Sequence, residues 1–167
     1  GPNLDQGFYE LHLSRAVEKA GGEPWPVDVR LTVGRQFVEF GRGLTLSKVL
    51  DGGTVRVESA DVRFTGLAAN TIESQSNIDR SPSVADHMSR FFMGFQVEYL
   101  GLDYHRPFFY YVRQNDNTDP KPSNQPQDYE YDSTYIGLGS TGELCQDLRY
   151  GTEYAFDAGF EPVLDWE

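Results

Sequence analysis

Cysteine occurs once, at Cys145, methionine twice, and lysine only at Lys19, Lys48 and Lys121. A single cysteine excludes an internal disulfide framework, and Cys145 is expected to be a small buried or turn residue. No run of about 18 apolar residues exists, which excludes a transmembrane helix. It does not exclude membrane-spanning strands, whose hydropathy signal is weaker. His12, His87 and His105 are scattered without metal-ligand spacing. Gly-x-Ser-x-Gly, Cys-x-x-Cys and Asn-x-Ser/Thr are all missing. The stretch Gly137-Leu138-Gly139-Ser140-Thr141-Gly142 has dinucleotide-loop spacing, but no helical or βαβ pattern follows it. With no such machinery, the chain is read as a non-enzyme that needs no cofactor and no metal. The formal net charge of −12 argues against unspecific nucleic-acid binding, which needs a basic surface.

What is present favours strands. Aromatics reach 14% of the 167 residues, with ten Tyr and eleven Phe, while hydrophobic residues total only 38%. Eleven arginines stand against the three lysines. Arginine is preferred where a charge must hold fixed geometry among carboxylates in a confined space.

Eight strands are expected, arranged as an all-β, antiparallel up-and-down meander. They run over Phe8–Arg15, Val27–Phe40, Thr54–Ser59, Val62–Ala68, Arg90–Leu100, Phe108–Arg113, Thr134–Gly139 and Leu148–Ala158. A helix through Ala20 competes for the first. The clearest alternation sets Phe91, Met93, Phe95, Val97 and Tyr99 against Arg90, Phe92, Gly94, Gln96 and Glu98, with Phe92 the one misfit on the polar side. Gly41 to Gly53 reads as a connection, Asn70–His87 and Gln114–Asp132 as long polar loops, and Ser140-Thr141-Gly142 as the opening of a turn. Residues 1–7 read as a lead whose Gly1-Pro2 resembles the scar of a cleaved tag, 8–160 as barrel strands and 161–167 as a tail.

Three patterns point to a transmembrane β-barrel or a segment of one. Beyond the first link, long and short connections alternate, so in a meander one rim carries long loops and the other tight turns. The polar faces carry Arg30, Arg56, Arg63, Arg113 and Arg149 beside Glu58, Glu98, Glu153 and Asp157. These are the expected pore-lining residues, although an ordinary solvated face would also hold them. Trp25, Tyr99, Tyr104 and Tyr150 gather toward the tight-turn end, and Phe91, Tyr110 and Phe156 toward the long-loop end, as two interfacial girdles would.

Val29-Arg30-Leu31-Thr32-Val33-Gly34-Arg35-Gln36, followed by Gly41-Arg42-Gly43-Leu44, resembles the strand-and-loop stretch of bacterial alginate-export-type outer-membrane barrels. Phe95–Leu100, Tyr110-Tyr111 and Tyr135–Gly139 fit that meander, so the resemblance spans residues 27–158. It implies a bacterial outer-membrane pore passing a polyanionic sugar through an Arg-rich lumen. The implied partners are an anionic solute or polysaccharide, the lipid bilayer, and other envelope or export proteins. Two departures stand out: the strands are fewer than half those of such a barrel, and Glu167 follows Trp166 at the end. An eight-stranded barrel closed on itself would be filled by side chains and would not conduct a polysaccharide.

Other readings compete. A soluble β-sandwich or lipocalin-like barrel could bind carbohydrate or another small ligand through Phe109 and Tyr111, and a purely structural β-domain is a third class. Glu98 and Glu153 could pair as glycosidase carboxylates. Asp116, Asp119, Asp128, Glu130 and Asp132 could offer oxygens to calcium, though a solvated acidic loop accounts for them more simply. The barrel reading requires the apolar side of each strand to face outward and the arginine side to face in.

Overall fold

A computed structural model describes residues 6–23, 25–72, 89–117 and 132–157. Strand β1 (Gly7–His12) leads directly into a short helix, α1 (Leu13–Lys19), so the strand and the helix expected over this stretch each account for half of it. There follow β2 (Asp28–Phe40), β3 (Leu46–Glu58), β4 (Val62–Asn70), β5 (Arg90–Tyr99), β6 (His105–Asp116), β7 (Ser133–Cys145) and β8 (Leu148–Asp157). They form one antiparallel sheet in the order β1 to β8, each strand paired with its neighbour in sequence. Among the described residues the sheet is not closed into a barrel.

The links sort by end. Residues 59–61, 100–104, 146–147 and the α1 connection lie at one end; 41–45 lies at the other, where β4 and β6 also end and β5 and β7 begin.

Two expected loops are strand. β3 begins at Leu46 and runs through Asp51-Gly52-Gly53, because Leu46 and Leu50 are buried there and β2 pairs along the whole stretch. β7 runs through Ser140-Thr141-Gly142 to a tight turn at residues 146–147, pairing with β6 on one side and β8 on the other. Two-sided pairing outweighs the turn preference of these small residues. Cys145 is exposed at the end of β7.

Beyond Arg35 and Asp51, β2 and β3 pair only with each other among the described residues, since β1 and β4 reach no further. Gln36–Leu50 is therefore a two-stranded arm. At its base Gly34 pairs with Gly52 and takes φ +132°, a value that favours glycine; a Cβ there would lie 2.5 Å from the Gly7 carbonyl oxygen. The arm folds across the inner face. Val38, Phe40, Leu46 and Leu50 from the arm bury against Leu67, Ala69, Phe92, Phe108, Tyr110 and Val112 from the wall. Phe92, the misfit in the alternation, is one of the residues the arm covers.

Candidate functional site: two faces of opposite polarity

Register aligns the side chains in rows across the sheet. On the outer face one row runs Leu11, Leu31, Val55, Gly66, Phe95, Tyr111, Ile136, Phe156, one residue from each of the eight strands. The next row toward the tight turns runs Val29, Val57, Phe64, Val97, Phe109, Leu138, Tyr154. Neither row contains a charge. Leu138, Tyr154 and Phe156 are 51, 59 and 54% exposed, so this is an open apolar surface rather than a core. Phe95 packs against Phe64, Phe109 and Tyr111 with ring centroids 6.0–6.1 Å apart, which makes the middle of the belt aromatic.

The belt gives way to polar groups toward the long links. Arg113 lies beside Met93 and Thr134 and donates to Asn115 at 3.0 Å. One row further, Arg35 and Asp51 pair through two bonds of 2.8 Å.

The inner face at the same level is charged. One row runs Asp28, Glu58, Arg63, Glu98, Phe108, Gly139, Glu153, and the next runs His12, Arg30, Arg56, Thr65, Gln96, Tyr110, Gly137, Ala155. These groups join in a network. Arg63 donates from Nε to Glu58 at 2.7 Å and from Nη1 to Glu98 at 3.2 Å; Gln96 Nε2 donates to Glu98 at 3.0 Å. Gln96 Oε1 accepts from the Gly41 amide at 2.6 Å. Glu153 accepts from the Arg42 amide at 2.8 Å and from the Tyr110 hydroxyl at 2.6 Å. The arm tip thus links β5, β6 and β8. Gly41 permits this: its φ is +61°, and a Cβ would lie 2.5 Å from the Glu153 carboxylate.

Of the expected pore-lining residues, Arg30, Arg56, Arg63, Glu58, Glu98 and Glu153 share the inner face. Arg149 lies on the same side of β8, but it is 84% exposed beside the turn and pairs with Glu143 at 2.9 Å. Arg113 is a correction. It alternates with Val112 and Gln114, which β6 turns inward under the arm, and this leaves Arg113 outward. Tyr110 corrects the girdle for the same reason: it is fully buried on the inner face. Tyr99, Tyr104, Trp25 and Phe156 are exposed.

Glu98 is held by Arg63 and Gln96 and Glu153 by Tyr110 and the Arg42 amide, and Asp157 ends its row at the β8 edge. His105 lies within 3.0 Å of the Tyr150 hydroxyl. Asp116 pairs with Arg90 at 3.3 Å and its amide donates to Asp132 at 2.9 Å. His87, Asp119, Asp128 and Glu130 lie outside the described residues.

Sequence reasoning missed Gln96, Tyr110 and the Gly41-Arg42 tip. Glycine opposite a large aromatic was the available signal: Tyr110 pairs with Gly137 and Phe108 with Gly139, and each ring lies over its glycine. No known protein family, curated protein or solved structure matches the chain.

Proposed function

We propose that this chain forms all or part of the wall of an outer-membrane β-barrel pore that passes anionic solutes or an anionic polysaccharide. The observation that carries the reading is the pair of uncharged rows crossing the outer face at the level where the inner face is most charged. Water favours the opposite arrangement, apolar rows in and charge out. Lipid favours this one. The rows free of charge run from Phe95 to Tyr99 on β5, ~14 Å at ~3.4 Å per residue. A tilt of ~40° brings that to ~10 Å along the membrane normal, less than half the ~25 Å apolar band of such barrels, because Arg113 and the Arg35–Asp51 pair enter the next two rows.

The two longest links, β4 to β5 and β6 to β7, join their strands at the same end of the sheet, which fits the same architecture. Arg30, Arg56 and Arg63 would attract anions, and Glu58 and Glu98 would keep them from binding too tightly to leave. The arm across the inner face would narrow the passage. Closure requires the edges of β1 and β8, unpaired among the described residues, to be met, by each other or by further strands.

One observation favours a second reading. The apolar cluster between arm and wall resembles the packed end of a small soluble barrel, which would bind a ligand and need no lipid. Purification separates the two. The pore reading expects aggregation without detergent and channel events in planar bilayers, with Arg30→Ala/Arg56→Ala moving the reversal potential away from anion preference. A chain monodisperse at high concentration without detergent would overturn it, as would a reversal potential indifferent to both substitutions.

A further inference from the structure

The inner sides of β1, β2 and β3 enclose an open cleft of about 260 Å³ whose wall includes Glu10, Arg30, Thr32, Gln36, Thr54 and Arg56. Arg30 and Arg56 are direct cross-strand partners, as are Thr32 and Thr54. Like charges placed opposite each other destabilise a sheet unless something neutralises them. The neighbouring carboxylates only partly do so. Asp28 takes Arg30 at 3.0 Å, Glu58 takes Arg63 at 2.7 Å, and Glu10 is bound to His12 at 2.6 Å. Arg56 is exposed, and among the described residues it has no carboxylate within ion-pair distance. The Thr54 hydroxyl donates to Gln36 over a long 3.3 Å, a bond that a better acceptor would displace.

We propose that this cleft is an oxyanion-binding site. A carboxylate or phosphate group sits between the Arg30 and Arg56 guanidiniums: Arg56 offers paired N–H donors, Arg30 the Nη1 side that its Nε and Nη2 contacts with Asp28 leave over, and the Thr32 and Thr54 hydroxyls complete its shell. The anion removes the like-charge apposition, so binding stabilises the β2–β3 pairing as well as the ligand. This deepens the pore reading and rests on it for the physiological ligand, an acidic sugar or a phosphorylated solute moving past the wall. The site itself needs only β1 to β3.

The test is calorimetric titration of the full chain in detergent micelles with inorganic phosphate, with digalacturonate and with neutral digalactose. Saturable binding of one or both anions is expected, and none of the neutral sugar; which anion binds more tightly distinguishes the two sources. Arg56→Gln should weaken binding by about tenfold, as loss of one charged fork implies. Arg113→Gln, on the outer face, should change nothing. Should Arg56→Gln misfold, Arg56→Lys serves instead: it keeps the charge without the fork and should weaken binding several-fold. No saturable anion binding by the unmodified chain, equal weakening by Arg113→Gln, or equal affinity for digalactose would each overturn the site. Binding without channel activity would sink the pore and leave the site; channel activity without binding would do the reverse.

Discussion

Consider alanine at two strand glycines. At Gly137 a Cβ would overlap the Tyr110 ring, which is fully buried between Phe40 at 6.3 Å and Phe108 at 6.4 Å and has nowhere to move. Overpacking of this kind costs about 1–3 kcal/mol. Stiffening the unfolded chain returns about 0.4–1 kcal/mol, so the net loss for Gly137→Ala is about 1–2 kcal/mol. At Gly53 the nearest atoms are the Thr32 carbonyl oxygen at 3.5 Å and a Val33 methyl at 3.8 Å, ordinary contacts, and the backbone needs no left-handed φ. There only the gain remains. The two alanines should differ by the overpacking cost alone, about 1–3 kcal/mol, or about 0.5–1.5 M in urea midpoint for an m-value of ~2 kcal/mol/M. Tyrosine and tryptophan fluorescence during urea titration in micelles measures this. Tyr110→Leu removes the ring, so Gly137→Ala in that background should be neutral or stabilising, a coupling of about 1–3 kcal/mol. An equal cost in both backgrounds would refute the ring-over-glycine account.

Three further outcomes follow from the same geometry. Leu138→Arg places a charge in an uncharged outer row and should cost about 2–4 kcal/mol of folding stability in lipid vesicles, against little in micelles; equal costs in both would remove the lipid-facing row. Tyr110→Phe takes a donor from the Glu153 carboxylate and should lower stability by about 1.5–3 kcal/mol, with Glu153→Gln in the same background recovering part of the loss, both read from urea midpoints. Gly41→Ala forces a side chain against that carboxylate at a left-handed φ and should release the arm. Faster protease cleavage within 36–50, with the remaining strands still protected, would show it.

Strand number, order and most boundaries were legible because period-two alternation is local and survives in the sequence. Phe91–Tyr99 shows this best: its two faces lie where the alternation puts them. The arm was not legible. Asp51-Gly52-Gly53 looks like a turn on its own, and only the partners of Leu46 and Leu50, far along the chain, make it strand. Arg113 failed for a related reason. In β6 both faces carry aromatics, so alternation alone could not say which side the arm would cover. The inner carboxylates Glu58, Glu98 and Glu153 were identified correctly as one face, but their common link through Gln96 and the arm tip depends on contacts that no spacing rule reports.

The arm also divides the folding reaction in time. Every rung of the meander joins neighbours in sequence and can close soon after its hairpin forms. The arm tip must instead find Gln96, 55 residues away, and Glu153, 111 residues away. It cannot dock until β5, β6 and β8 have assembled to receive it, so the interior sets last. Until then, the apolar side chains that will meet beneath the arm stay wet, and that interval is when a refolding chain is most exposed to aggregation.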